Sequence, residues 1–101
     1  MNKYFQQGDV LIKEYQGKIK GEKLNHLTLA KGEATGHHHT IVNGSAALYN
    51  MQGALFLKVS SEKALLEHQE HGRIEIPKGD YLIEKVREYD HFEEETREVI
   101  D

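Results

Sequence analysis

The chain has 101 residues and a formal charge of −4, with 38% hydrophobic and 30% charged residues. This length and balance predict one folded domain spanning residues 1–101 and exclude a predominantly disordered chain. The absence of cysteine excludes disulfides and thiolate metal sites. The acidic charge argues against broad binding of duplex DNA.

The expected location of the protein is the cytoplasm. No run of the sequence is long and apolar enough for a membrane span, and residues 1–9 lack the apolar segment of a secretory signal. We therefore expect no membrane partner.

Glycines divide the chain into short apolar runs, a pattern typical of strands in a small barrel or sandwich. The predicted strands, in chain order, are residues 9–15, 24–31, 37–43, 46–51, 54–60, 64–68, 73–76 and 81–89. Hairpin turns are predicted at Asn43-Gly44 and, from a weaker signal, at Gln52-Gly53. The lysine-rich segment 13–23 fits an exposed loop or hairpin. The predicted fold is an all-β single domain.

Two segments also fit other structures. Residues 61–66 suit one short helix, because Ser60 or Ser61 can cap it and good helix formers follow. The charged segment 90–101 suits a loop, a short helix or a closing edge strand.

Histidine is the residue type that points to chemistry. Five of the seven histidines lie in two clusters, at residues 37–39 and 68–71. Imidazole titrates near neutrality, ligates transition metals and serves as a general acid or base. His26 and His91 stand alone, and we interpret them as structural or solvated.

The first cluster lies on a predicted strand. Because side chains alternate across a strand, His37 and His39 point to one face and His38 points to the other. Two imidazoles on one face suit a single metal ion, and the hydroxyls of Thr35 and Thr40 suit hydrogen bonds that orient the rings.

The second cluster depends on local geometry. His68 and His71 share a face in a helical turn but not in a regular strand, and a bulge or turn at Gly72 also lets both converge. Glu70 adds a carboxylate. Histidines with one carboxylate suit Zn, Mn, Fe or Ni, with positions left open for water or substrate.

Much of the chain resembles a set of short bacterial and phage proteins that are uncharacterised. The matching segments are Gly8-Asp9-Val10-Leu11-Ile12, Thr35-Gly36-His37-x-His39, Glu67-His68-x-Glu70-His71, Ile74-x-Ile76-Pro77-x-Gly79-x-Tyr81 and Arg87-Glu88-Tyr89. The resemblance implies no activity, but it implies that the two histidine segments act as a unit.

The chain is also similar to the cupin superfamily of metal-binding β-barrels. Residues 37–39 match the His-x-His of the first cupin motif, and residues 77–79 match the Pro-x-Gly of the second. The cupin glutamate is missing near Asn43, and Leu82 stands where the last cupin histidine is expected. The resemblance implies a metal-binding barrel whose remaining ligands come from the second histidine cluster or a nearby glutamate.

The leading functional hypothesis is a divalent transition metal bound by His37, His39 and one or both of His68 and His71, with Glu70 nearby. Such an ion serves catalysis or the binding of a small-molecule ligand. These residues alone leave open whether the protein is an enzyme.

Two alternatives remain. The first is a metal-independent ribonuclease in which histidines act as acid and base on RNA, with Arg73, Arg87 or a lysine stabilising the developing charge. The second is a non-enzymatic phage or defence interaction module, for which exposed sheet edges favour a homodimer.

Overall fold

The structure of the chain, a computed structural model, describes residues 4–31 and 37–85. Its strands, numbered in chain order, are β1 (Tyr4–Gln7), β2 (Val10–Glu14), β3 (Glu22–Lys23), β4 (Thr28–Lys31), β5 (His38–Asn43), β6 (Ala46–Met51), β7 (Ala54–Glu67) and β8 (Ile74–Lys85). The residues in these two ranges form no helix, and therefore none that is long and apolar enough to cross a membrane. The all-β prediction is confirmed.

A long hairpin of β7 and β8 runs through the centre of the sheet. Its register extends from Leu55 opposite Ile83 to Leu66 opposite Ile74. On the β8 side the sheet continues through β2 to β1. On the other side β7 pairs first with β6 and then with β5. In turn, β6 pairs with β3, and β5 pairs with β4. The ladders in the described part of the chain form an open antiparallel sheet and do not close a barrel.

A bulge interrupts β7 at residues 60–62, which lie opposite a single residue of β8. The main-chain N–H groups of Ser60 and Ser61 donate to the carbonyl of Ser45 over 2.8 and 3.3 Å. The N–H of Ser45 donates to Ser61 Oγ over 2.8 Å. Because the β5–β6 turn supplies these partners, the chain stays extended through the bulge. The alternative of a helix at 61–66 is wrong.

The other differences from the predicted strands concern their extent. The strands predicted at 54–60 and 64–68 are parts of β7, and those predicted at 73–76 and 81–89 are parts of β8. Only the last four residues of the strand predicted at 24–31 form β4, and β1 and β3 are absent from the predicted strands. Residues 86–89 of the last prediction and the whole segment 90–101 lie outside the described residues.

The hairpin turn predicted at Gln52-Gly53 forms, because it joins β6 to its partner β7. The hairpin predicted at Asn43-Gly44 is wrong, because β5 and β6 on its two sides pair with different parts of β7 and not with each other. Gly44 has a φ of +94°, and the pair Gln52 and Gly53 has φ values of +55° and +84°. Two positive φ values in succession suit the twist of a two-residue hairpin.

The core comes from alternate residues of the paired strands. Its largest fully buried apolar side chains are Ile12, Leu48, Leu57, Leu66 and Ile76. Burial of one such side chain stabilises the fold by about 1.5–3 kcal/mol. The same fully buried set contains one polar residue, His39, which is 1% exposed.

Candidate histidine site

Strand register places one histidine of each cluster side by side. In the pairing of β5 with β7, Thr40 lies opposite Glu67. The next residues in this antiparallel arrangement are His39 and His68, whose ring centroids are 4.2 Å apart. The ladder between β5 and the end of β7 therefore brings the two clusters together.

Three of the imidazoles, His39, His68 and His71, form a triangle of mutual ring contacts with His68 at its corner. The ring centroids of His68 and His71 are 4.6 Å apart, and the rings of His39 and His71 are nearly parallel, at 12° and 6.2 Å. The ring of His37 meets His68 edge-on at 5.6 Å. We call these four residues the histidine stack. No ring contact among the described residues involves His38, as its predicted orientation implies.

The loop between β7 and β8 returns His71 to the stack, against the turn between β1 and β2. A Cβ added to Gly8 would lie 2.5 Å from His71 Nε2, so only glycine leaves room for the ring there. Gly8 also has a φ of +59°, which glycine adopts without strain. The predicted convergence of His68 and His71 thus arises in a loop and not in a strand bulge.

Gln7, at the end of β1, sets the orientation of the buried His39 ring. Gln7 Nε2 donates to the carbonyls of Leu66 and Gly72 over 3.0 and 2.8 Å. Its oxygen Oε1 therefore faces His39 Nδ1, at 2.8 Å. Because an amide oxygen only accepts, Nδ1 carries the proton and Nε2 of a neutral His39 carries the lone pair.

Asp9 faces that lone pair. His39 Nε2 lies 3.4 Å from Asp9 Oδ1, and the Asp9 side chain is 36% exposed at the open side of the site. Burial of the ring, followed by repulsion from His68, lowers the pKa of His39 to about 4, although Asp9 opposes the shift. At neutral pH His39 is therefore neutral. The lone pair on His39 Nε2 then faces the carboxylate oxygen Oδ1 of Asp9, with no proton between the two atoms.

His68 presents the opposite polarity. The main-chain N–H of Glu70 donates to His68 Nδ1 over 3.0 Å, so the proton of a neutral His68 lies on Nε2. Burial, followed by the neighbouring charges of His71 and His37, lowers the pKa of His68. Of these two neighbouring rings, His39 therefore carries an acceptor at Nε2 and His68 carries a donor at Nε2.

The remaining predicted groups lie at the edge of the stack. Glu70 Oε2 lies 3.5 Å from His37 Nδ1, and its side chain is 67% exposed. The hydroxyl of Thr40, predicted to orient an imidazole, instead pairs with Thr28 Oγ1 at 3.2 Å. Thr35, predicted for the same role, lies outside the described residues. His26 lies apart from the stack and accepts the N–H of Thr28 at Nδ1.

In the described ranges, no three histidine or carboxylate side chains are arranged as ligands around one point. The predicted set of His37, His39, His68 and His71 with Glu70 is therefore a group of adjacent side chains and not a completed coordination shell. Two ligand-type atoms nevertheless lie close together, Nε2 of His39 and Oδ1 of Asp9, a residue outside the predicted set.

Gln7 and Asp9 were not among the predicted site residues. Both flank Gly8 directly before the apolar strand β2. Two polar residues around a glycine at a strand end are a weak signal, since such residues commonly form ordinary turns. The resemblance to short bacterial and phage proteins includes Gly8-Asp9 but not Gln7, so it offered a signal for Asp9 alone.

Comparison with known proteins identifies the family but not an activity. No curated protein and no solved structure matches the chain. A family described as a domain of unknown function, DUF8820, matches residues 6–86, which include Gln7, Asp9 and the whole histidine stack. The chain belongs to the DUF8820 family.

Proposed function

We propose that the protein binds a divalent transition metal at His39 Nε2 and Asp9 Oδ1. The observation that carries this proposal is the 3.4 Å separation of these two atoms. Two ligands that are each about 2.1 Å from a tetrahedral ion are about 3.4 Å apart. The facing pair therefore has the spacing of one edge of a tetrahedral site.

The hydrogen bonds around His39 suit a metal ligand. A ligating imidazole usually donates its second N–H to a fixed acceptor, which orients the ring. Gln7 Oε1 supplies that acceptor, and the two carbonyls that bind Gln7 Nε2 hold the amide in place. Metal also binds only the neutral imidazole, which is the form that burial favours for His39.

His71 is the candidate for a further ligand. Its ring lies at the surface against Gly8, next in sequence to Asp9, and can turn about its side-chain bonds. His68 stays in the stack as a donor, because its Nδ1 accepts the N–H of Glu70. The remaining positions go to water or substrate. When bound, such an ion polarises a ligand or lowers the pKa of bound water.

The test is metal binding by protein purified without an affinity tag. We expect stoichiometric Zn, Mn, Fe or Ni by elemental analysis, and thermal stabilisation when the same metal is added. His39→Gln and Asp9→Asn should weaken binding by about 100-fold or more. His38→Gln, a histidine change on the same strand but outside the stack, is the matched control. Wild-type protein that neither carries metal nor is stabilised by it would overturn the proposal.

The ribonuclease hypothesis stays a prediction with one observation in its favour, the adjacent acceptor on His39 and donor on His68. Two observations weigh against it. The lowered pKa values leave both rings neutral at pH 7, and Arg73 pairs with Glu67 at 3.0 Å. Cleavage of RNA in the presence of a chelator would favour it over the metal site. The interaction-module and homodimer hypotheses also stay predictions.

A further inference from the structure

A lysine lies at the open side of the proposed metal site. Lys85, the last residue of β8, has its ammonium nitrogen 3.8 Å from Asp9 Oδ2 and 3.4 Å from the carbonyl oxygen of Lys31. The Lys85 side chain is 45% exposed. Asp9 therefore turns one carboxylate oxygen to His39 and the other to a cation that solvent can reach.

The charges around this point do not balance once a divalent ion is present. Asp9 and Glu70 contribute two negative charges, and Lys85 contributes one positive charge. Glu67 and Arg73 pair with each other and cancel. With neutral imidazole ligands, a divalent ion leaves the site with one positive charge in excess. A site that excludes part of its water favours a ligand that neutralises such an excess.

Space for a ligand lies along β4. An open groove of about 350 Å³ is lined by His26, Thr28, Ala30 and Lys31. Lys31 connects the groove to the site, because its carbonyl oxygen accepts the hydrogen bond from Lys85. A ligand whose charged group lies at Lys85 therefore has room for an uncharged remainder along β4.

We propose that the metal-loaded site binds an oxyanion, a carboxylate or a phosphate group, with one oxygen on the metal and another on the Lys85 ammonium. One such group presents two or three oxygens and so contacts both cations at once. This inference rests on the proposed metal site and names the ligand class that the site takes. The bound oxyanion adds the negative charge that the loaded site lacks.

The experiment is calorimetric titration of protein loaded with one equivalent of Zn²⁺. Inorganic phosphate and acetate are titrated separately, so that the two arms distinguish a phosphate from a carboxylate source. We expect binding of at least one of them, weakened by about tenfold or more in metal-free protein and in Lys85→Gln. The control is Lys58→Gln, which removes a lysine that faces Asp80 at 3.4 Å away from the site. Lys58→Gln should bind as the wild type does.

The outcomes separate the two proposals. If zinc binds at one equivalent but neither anion does, or if Lys85→Gln binds the anion as tightly as the wild type, the oxyanion site is refuted and the metal site stands. If the wild type takes up no zinc or other transition metal, both proposals fail.

Discussion

His39 donates its Nδ1 proton to Gln7 Oε1 over 2.8 Å, and this single contact decides which nitrogen of the ring faces the open side of the site. Gln7 holds that role because its own amide donates to two main-chain carbonyls. The end of β1 therefore controls the chemistry of a histidine on β5, a strand with which it forms no ladder.

Replacement of Gln7 should cost both stability and metal affinity. Gln7→Leu removes two donated hydrogen bonds and leaves His39 Nδ1 without its acceptor. We expect a loss of about 2–3 kcal/mol in the free energy of unfolding, and metal binding about 10- to 100-fold weaker. Urea unfolding followed by circular dichroism and calorimetric metal titration measure the two effects. Gln16→Leu, at an exposed position after β2, should change neither.

Acid should destabilise the protein between about pH 6.5 and pH 4, because His39 is buried in its neutral form. Its pKa is about 4 in the folded protein against an ordinary 6.5, so between these values only the unfolded chain takes up the proton. The contribution of His39 to the free energy of unfolding is complete above pH 6.5. It declines as the pH falls toward 4 and declines no further below that pH. The shift in the pKa of His39 corresponds to a loss of about 3 kcal/mol at most in the free energy of unfolding. The lowered pKa of His68 acts in the same direction.

Unfolding in urea at about pH 7.5 and about pH 5 checks this dependence, with metal removed by a chelator. His39→Gln is the comparison, because glutamine does not titrate. Its stability should fall less than that of the wild type over the same interval. An equal fall in both proteins would assign the acid sensitivity to other groups.

An alanine at Gly8 should displace His71 from the stack. The new Cβ would lie 2.5 Å from His71 Nε2, and the residue would also keep a positive φ. Gly53→Ala is a matched control, because Gly53 has a φ of +84° but nothing within 4 Å of its Cβ position. We expect Gly53→Ala to cost about 1 kcal/mol from backbone strain alone and Gly8→Ala to cost more.

The imidazole proton resonances in NMR spectra provide the second measurement. Gly8→Ala should shift the His71 resonance as the ring leaves its neighbour His68, and Gly53→Ala should leave it unchanged. An unshifted His71 in Gly8→Ala, with equal stability losses in both variants, would show that the close packing is absent in solution.

The bulge in β7 predicts a difference between two adjacent serines. Ser61 Oγ accepts the N–H of Ser45 and donates to the carbonyl of Lys63, at 2.8 and 2.7 Å. Ser61→Ala should therefore lower the free energy of unfolding by about 1 kcal/mol. Ser60→Ala should be close to neutral, because Ser60 is exposed and contributes its main-chain N–H to the bulge. Urea unfolding of both variants measures the difference, and equal losses would contradict this account of the bulge.

Local patterns predicted most of the strands and the hairpin turn at Gln52-Gly53, but not that the strands on either side of Asn43-Gly44 pair with β7 and not with each other. Alternation places Ile76 and Ile83 inside and Glu75 and Glu84 outside, as the structure has them. The same patterns divided β7 and β8 into two strands each. A polar bulge and the segment Pro77-Lys78-Gly79 look like turns when the partner strand is unknown, and only the opposing strand keeps the chain extended there.

The sequence alone singled out histidine as the residue type that points to chemistry, predicted that His37 and His39 share a face without His38, and predicted that the fold is all-β. Those conclusions follow from composition and from a period of two, which are local properties. Tertiary structure decided the rest, namely the contact of His39 with His68, the hydrogen bond to Gln7 that fixes the His39 proton on Nδ1, and the partner Asp9. These contacts join residues 29 to 32 positions apart in the chain, and only strand register and the loop ends bring them within hydrogen-bonding or ring-contact distance.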